Sequence, residues 1–325
     1  MITATSLFVA AILGIAGVAR ANDNPTPPSH MGRPVLGESI YTQSPRPLVS
    51  VAHRGGAGVA PEQTAAAYAK SVKVHPTCFE ADVQLTSDGV PILVHDRTFA
   101  RTTNVETVFP DRAHDKVGTF TYKEVRKLDA GSWFGKKYAG QRIPALSDIL
   151  DYVYPHDIGL FLELKNPDLS PGLEKTVAHQ MAVDSRWQGM VATGRLTFLS
   201  FDAASLRRMS VLRPEVPLLW LNPTVPSSAE LKKLDGWADK FGTDYRNLDT
   251  AGLKRVRSTN LTLATYTVDT TEGMDWSLKH GVDTIISDYP ATLLERAKTE
   301  TLPVMTTKRV LPPGTDGPRA ASAQK

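Results

Sequence analysis

The chain has 325 residues, of which 41% are hydrophobic and 22% are charged. This composition is that of an ordinary soluble protein and excludes a disordered, collagenous or polytopic membrane protein. Lysine and arginine number 37 against 34 aspartates and glutamates, a surplus too small to indicate nucleic-acid or anionic-membrane binding by bulk charge. The single cysteine, Cys78, excludes an intrachain disulfide framework and a cysteine-rich metal site, and we expect it in the core.

The N-terminus has the pattern of a secretory signal peptide. Residues 7–18 form an apolar run, shorter than the roughly 20 residues that span a bilayer, and residues 19–21 (ARA) supply a small-x-small cleavage pattern. We therefore expect cleavage after Ala21, a periplasmic or secreted protein and no stable membrane span after cleavage. Because residues 1–6 contain no lysine or arginine, an uncleaved N-terminal anchor is the alternative.

The sequence predicts one folded unit at 48–300. Residues 22–47 are rich in proline and indicate an extended N-terminal segment, whereas residues 301–325 are rich in proline, glycine and alanine and indicate a flexible C-terminal tail. Within the unit, β-type segments are expected at 48–53, 79–85, 90–94, 159–164, 196–201, 217–221, 240–245, 261–267 and 284–286. Helices are expected at 64–74, 122–128, 146–153, 172–183, 203–212, 228–234, 251–258, 271–280 and from 290 onward.

This alternation predicts an α/β fold. If the segments at 79–85 and 90–94 form one unit, about eight strand–helix pairs occur in about 250 residues, which is the count that closes a (β/α)8 TIM barrel. The irregular stretch at about 97–140 then indicates a small insertion after the second strand. A doubly wound open sheet is the structural alternative.

Candidate catalytic residues follow the predicted strands at their carboxyl ends, where a barrel has its active site. After the first strand, His53 offers a proton-transfer group and Arg54 a guanidinium that can bind two phosphate oxygens. Glu80 and Asp82 share one face of the second strand, and two interior carboxylates are tolerable when a cation neutralises them. A second imidazole, His95, could supply the acid that matches a base.

Further polar and aromatic residues end other strands. Asp96 is expected to cap or orient the preceding histidine, while Glu163 and Lys165 add a carboxylate and a cation, with a self-contained ion pair as the alternative. Tyr266 could supply an aromatic wall, and for both Tyr266 and Asp288 we expect a role in shape and packing. Together these residues predict a hard-cation, oxygen-ligand site for a phosphate ester, which favours Mg²⁺ or Ca²⁺ and leaves zinc or manganese open.

At these residues the chain resembles the glycerophosphodiester phosphodiesterase family over about residues 48–297. Two positions depart from the family pattern, because Gln63 stands where asparagine is usual and Tyr266 where tryptophan is typical. The matching motifs are His53-Arg54-Gly55, residues 61–64 (PEQT), 80–83 (EADV) with Thr86 and 88–89 (DG), 95–96 (HD), 101–103 (RTT), 128–132 (LDAGS), 143–144 (IP), 163–165 (ELK) and 281–288 (GVDTIISD).

The resemblance implies a barrel with an insertion after the second strand, and metal-dependent hydrolysis of glycerophosphodiesters such as glycerophosphocholine to glycerol 3-phosphate and an alcohol. It also implies a role for each matching position, with Glu62 as a further acidic residue near the site. By this resemblance the general acid and base are His53 and His95, the substrate-binding residues are Arg54 and Lys165, and the metal ligands are Glu80, Asp82 and Glu163. Tyr266, which departs from the family pattern, is expected as a further substrate-binding residue.

Three points stay open at this stage. The nucleophile is either the neighbouring glycerol hydroxyl, which gives a cyclic phosphate, or water. A related enzyme that acts on intact lipids, such as a phospholipase C or a sphingomyelinase D, is the second functional hypothesis and predicts an exposed apolar rim. A noncatalytic secreted binding protein is the third, against which the retained histidines and buried carboxylates argue.

Overall fold

The computed structural model describes residues 47–300 and 302–305, and its core is a closed barrel of parallel strands. The strands are β1 (Val49–Ala52), β2 (Cys78–Leu85), β3 (Pro91–Leu93), β4 (Gly159–Leu164), β5 (Leu196–Ser200), β6 (Leu218–Leu221), β7 (Lys240–Asp244), β8 (Thr262–Tyr266) and β9 (Thr284–Ser287). β9 pairs in parallel with β1, and β1 with β2, so the sheet closes. Only β3 is antiparallel and lies outside the ring, against β2. The TIM barrel is confirmed, and the open sheet is wrong.

Most helices follow a strand and cover the outside of the barrel, and two short ones lie in the insertion. They are α1 (Ala65–Val72), α2 (Val105–Val108), α3 (Tyr122–Val125), α4 (Leu150–Val153), α5 (Leu173–Val183), α6 (Ser185–Ala192), α7 (Ala203–Leu212), α8 (Ser228–Asp235), α9 (Thr250–Arg257), α10 (Thr271–Lys279) and α11 (Pro290–Thr299). The sequence predicted the long helices but missed α6. That helix begins where the Asp184 side chain accepts a hydrogen bond from the Arg186 amide, and it buries Trp187 and Met190.

Inside the barrel, apolar side chains lie toward the amino ends of the strands and charged side chains lie toward their carboxyl ends. A buried cluster fills the interior with one or two residues from most strands, namely Val51, Cys78, Phe161, Leu199, Leu219, Leu221, Ala264 and Ile286. Because successive side chains alternate between faces, the interior face that carries Cys78 also carries Glu80 and Asp82. The predicted burial of Cys78 is confirmed.

The stretch predicted as an insertion packs around its own apolar cluster. Phe99 and Phe120 meet edge to face with ring centroids 5.2 Å apart, and both are fully buried with Val105, Val125 and Leu128. Ile92 of β3 belongs to the same cluster, so the insertion is fastened directly to the strand that precedes His95. This attachment holds the insertion beside the carboxyl end of the barrel.

The ends of the described chain meet at the opposite end of the barrel. Residues 302–305, which the sequence assigned to the tail, pair with Leu48, whose amide donates to the Pro303 carbonyl at 2.8 Å. The predicted signal peptide at 1–21, nearly all of segment 22–47, and residues 306–325 lie outside the described residues. Within residues 47–300 and 302–305, no helix combines the length and apolar character needed to cross a membrane.

Candidate active site

Three carboxylates from two neighbouring strands converge inside the mouth of the barrel. Glu80 and Asp82 lie on β2, and Glu163 lies on β4 directly opposite Asp82 in the strand register. One oxygen from each carboxylate lies within 4.8 Å of the others, and the residues are only 2%, 1% and 6% exposed. The structure therefore brings together the residues predicted as metal ligands, and we call them the carboxylate cluster.

The protonation of the carboxylate cluster shows the cost of holding it without a cation. Burial, followed by the charges of Asp82 and Glu163, raises the pKa of Glu80 well above its usual value. Burial also raises the pKa of Glu163 to about 7, against the opposing pull of the Lys165 ammonium. For Asp82, burial is outweighed by Lys165 and then by the nearby imidazoles and guanidinium, which together lower its pKa. Positive charge is what allows the carboxylate cluster to ionise.

Two oxygens of the carboxylate cluster have no hydrogen-bond donor among the described residues. Glu80 Oε1 and Asp82 Oδ1 are buried and accept no hydrogen bond from the described residues, although the Lys165 ammonium lies 3.4 Å from Asp82 Oδ1. A buried acceptor without a donor is costly unless something else binds it. Free carboxylate oxygens in a set without sulfur or nitrogen donors fit a hard divalent cation such as Mg²⁺ or Ca²⁺.

Each of the two histidines is held by an aspartate through the same ring nitrogen. His53 Nδ1 lies 2.6 Å from Asp288 Oδ1, and His95 Nδ1 lies 2.7 Å from Asp96 Oδ1. Because a carboxylate only accepts hydrogen bonds, each Nδ1 carries the hydrogen and each Nε2 is left for proton transfer. His53 Nε2 accordingly faces the carboxylate cluster, 4.0 Å from Glu80 Oε2.

The contact of Asp96 agrees with the sequence-based prediction, whereas the contact of Asp288 goes beyond it. Asp96 orients His95, as the sequence predicted. For Asp288 the sequence predicted packing, and this was incomplete, because its carboxylate holds the His53 ring. The charge of His53 and its hydrogen bond outweigh the effect of burial and lower the pKa of Asp288, so the carboxylate is present as the acceptor.

The turn after β1 is wound tightly so that its backbone and side chains both serve the site. Arg54 has a left-handed φ of 49°, and its amide donates to Glu80 Oε2 at 2.8 Å. Gln63 has a φ of 58°, and its side-chain amide donates to Asp82 Oδ2 at 2.6 Å while its carbonyl accepts from the Asp82 amide. Left-handed conformations are unfavourable for such residues, and here they aim polar groups at the carboxylate cluster.

The cationic side chains lie beside the carboxylate cluster. The Lys165 ammonium donates to Glu163 Oε1 at 2.8 Å and also approaches Asp82, so the pair is not a self-contained one. The Arg54 guanidinium donates to Glu62 Oε1 at 3.0 Å, and its Nε lies 3.4 Å from Asp82 Oδ2. A phosphate group above the carboxylate cluster would therefore meet both cations.

Two aromatic side chains form one wall of the mouth. Tyr266 packs edge to face on Phe201, with ring centroids 5.6 Å apart, and the Lys165 ammonium lies 5.5 Å from the Phe201 ring. Phe201 is 43% exposed, which is unusual for a large apolar residue at a strand end. The wall expected from Tyr266 is present, and Phe201 belongs to it although the sequence analysis gave it no role.

Comparison with known proteins agrees with this geometry. A profile of the glycerophosphoryl diester phosphodiesterase family matches residues 53–292. The chain belongs to this family of phosphoric diester hydrolases. It is 30% identical to a glycerophosphodiester phosphodiesterase of Bacillus subtilis, and the alignment covers 76% of this chain and 85% of that protein. It is also 32% identical, over 75% of its length, to 95% of one from Caldanaerobacter subterraneus.

Solved structures of phosphodiesterases have the same fold. An Oleispira antarctica phosphodiesterase, solved in complex with the product sn-glycerol-3-phosphate, is 25% identical and superposes with a TM-score of 0.66 over 78% of this chain and 97% of its own. A glycerophosphodiester phosphodiesterase from Agrobacterium tumefaciens is 24% identical, with a TM-score of 0.62 over 76% of this chain and 99% of its own. The barrel of this phosphodiesterase is thus shared along nearly the full length of these relatives.

Proposed function

We propose that this phosphodiesterase hydrolyses glycerophosphodiesters to sn-glycerol 3-phosphate and an alcohol. The observation that carries the proposal is the convergence, in one barrel mouth, of a buried carboxylate cluster with two aspartate-held imidazoles. Family membership supports the reaction class, and the bound product of the Oleispira relative supports the glycerol 3-phosphate half of the substrate. The cations of Arg54 and Lys165 supply the charge that a phosphodiester needs.

The carboxylate cluster would hold one divalent cation, and Mg²⁺ and Ca²⁺ fit its donor set best. When bound, the cation offsets the negative charge that builds on the phosphoryl oxygens. The free Glu80 Oε1 and Asp82 Oδ1 are the atoms that such an ion would satisfy. Burial and the mutual repulsion of the carboxylates raise the pKa of Glu80 and of Glu163, and a bound cation would counter both effects.

The chain's own residues divide the remaining work. Arg54 and Lys165 orient the phosphodiester and balance its charge. Of the two Nε2 atoms, one accepts the proton of the attacking oxygen and the other donates a proton to the departing alkoxide, in the manner of a general base and a general acid. Phe201 and Tyr266 border the space beside Lys165, where they exclude water from one side of the substrate.

Product analysis tests this function directly. The purified protein with Mg²⁺ or Ca²⁺ is given glycerophosphocholine, glycerophosphoethanolamine or an intact phospholipid, and the products are identified by phosphorus NMR. We expect glycerol 3-phosphate and the free alcohol from the glycerophosphodiesters and no turnover of the intact lipid. Release of phosphocholine would assign cleavage to the other phosphoester bond, and turnover of the intact lipid alone would favour an enzyme of the phospholipase C or sphingomyelinase D type.

The Asp288 contact gives a prediction of its own. In Asp288→Asn the His53 ring loses the charge that fixes its tautomer and stabilises its protonated form. We expect kcat to fall by about 10–100-fold, part of the 10²–10⁴-fold that a proton-transfer group contributes, with KM nearly unchanged. Steady-state kinetics measure both constants. Asp275→Asn removes a carboxylate that, among the described residues, forms its ion pair with Arg296 on the outer helices, and it serves as the control. Equal kcat values for the two variants would refute the role of Asp288.

A further inference from the structure

Arg101 binds two carboxylates of the site at the same time. It lies in the insertion, and its Nη1 and Nη2 donate to Glu62 Oε2 and Oε1 at 2.7 and 2.8 Å. Its Nε and Nη2 also donate to Asp96 Oδ2 and Oδ1 at 2.6 and 3.0 Å. Paired contacts of this kind use the planar fork of a guanidinium, which the point charge of a lysine cannot reproduce.

Each of these carboxylates holds a different functional group. Glu62 accepts a hydrogen bond from the Arg54 guanidinium at 3.0 Å, and Asp96 lies 2.7 Å from His95 Nδ1. The contacts form one continuous chain, Arg54–Glu62–Arg101–Asp96–His95. It joins the turn after β1 to the segment after β3. Arg54, which is proposed to bind the phosphate, and His95, which is proposed to transfer a proton, are therefore both held through Arg101.

The charges along this chain depend on one another. The hydrogen bonds that Arg101 donates to Glu62 raise the pKa of Arg101. For Asp96, the contacts with His95 and Arg101 outweigh burial and lower its pKa. Glu62 is 8% exposed at its side chain. Removing the guanidinium would therefore leave two partly buried carboxylates competing for the remaining cations, which displaces the groups they hold.

We propose that Arg101 is a positioning residue, which fixes the His95–Asp96 pair relative to the Arg54–Glu62 pair and thereby gives the insertion a role in the reaction. The inference rests on the proposed function. Four of the five N–H groups of Arg101 already donate to Glu62 and Asp96, so we assign it a role in holding these carboxylates rather than in binding the phosphate. Its side chain is 45% exposed, so small solutes can reach the space that it occupies.

Chemical rescue tests this role. In the metal-supplied enzyme, Arg101→Ala is expected to lower kcat for glycerophosphocholine by about 10–100-fold, the usual scale for a group that orients a reacting one. Millimolar guanidinium is expected to restore at least a several-fold part of that loss, whereas methylammonium, which lacks the fork, restores none. Arg101→Lys is expected to stay as impaired as Arg101→Ala.

Arg112→Ala is the matched control. Arg112 lies in the same insertion and binds two carboxylates, Asp115 and Glu124, neither of which forms a hydrogen bond with a candidate site residue among the described residues. We expect this variant to keep wild-type kcat and to show no response to guanidinium. Wild-type kcat in Arg101→Ala, a raised KM with unchanged kcat, or a loss that guanidinium does not restore in a folded protein would each overturn the proposal.

A second readout does not need the substrate. Nitrogen-15 NMR of the imidazoles, assigned with His95→Gln, reports the tautomer of each histidine. In Arg101→Ala we expect the His95 nitrogens to shift toward a mixture of tautomers and the His53 nitrogens, whose aspartate partner Arg101 does not touch, to stay in place. An unshifted His95 signal would overturn the positioning role. The expected His95 shift in Arg101→Ala, together with a wild-type protein that cleaves no glycerophosphodiester, would instead refute the proposed function alone.

Discussion

Chelation with EDTA is expected to abolish diesterase activity, and added Mg²⁺ or Ca²⁺ is expected to restore it. The physical reason is that the carboxylate cluster is buried, brings three acidic side chains within 4.8 Å and leaves oxygens free for a cation. Activity is followed by a coupled assay for glycerol 3-phosphate. Full activity in EDTA after extensive dialysis would contradict the assignment of the carboxylate cluster as a metal site.

Asp82→Asn sharpens this prediction because it keeps the shape of the side chain. Asp82 belongs to the carboxylate cluster. Because a bound metal ion contributes several kcal/mol to charge stabilisation, we expect the kcat of this variant to fall by about 10³-fold. Glu174→Gln is the matched control. Glu174 is also buried and ionised, but it binds Ser205 and Arg208 between α5 and α7, so its loss should change stability and leave the turnover of the folded enzyme intact.

Removal of either imidazole is expected to have the next largest effect. His53→Ala and His95→Ala should each lower kcat by about 10²–10⁴-fold, the range for general acid–base groups. The double variant should lose far less than the product of the two, because residues that act as a unit are not additive. His114→Ala changes an exposed histidine of the insertion and should leave kcat unchanged. A single variant with wild-type kcat would remove that histidine from the mechanism.

A change of leaving group separates the two histidines. From a glycerophosphodiester of p-nitrophenol, the p-nitrophenolate leaves without needing a proton. The variant that lacks the general acid should therefore recover most of its activity on that substrate. The variant that lacks the general base should stay impaired. Equal recovery of both variants, or of neither, would contradict the division of labour between the two Nε2 atoms.

Periodicity predicted the barrel and placed the candidate residues at strand ends, whereas the roles of those residues came from the family resemblance. Alternation along β2 and β4 is a local property, so it fixed the interior face of Glu80, Asp82 and Glu163 before any contact was known. The end of a parallel strand is likewise a local property, which is why His53 and Lys165 could be placed at the mouth. The structure confirms these placements.

Partners that are distant in sequence could not be predicted in this way. The contact between His53 and Asp288 joins residues 235 positions apart, and periodicity assigns a face without naming the side chain across it. The contacts of Arg101 depend on how the insertion folds back over the mouth, and that stretch has no regular pattern. Helix α6 was missed because its eight residues include Gly189 and follow α5 directly, so one capping aspartate decides where it begins.

We expect Glu80, Asp82 and Glu163 together to bind one divalent cation beside the two imidazoles. Anomalous X-ray scattering from crystals soaked in Mn²⁺ can locate such an ion without reference to activity, because Mn²⁺ accepts the same oxygen ligands as Mg²⁺. We predict one anomalous peak in contact with all three side chains, and none at that position in Asp82→Asn. A wild-type crystal that holds Mn²⁺ elsewhere, with no peak between these carboxylates, would show that the carboxylate cluster is not the metal site.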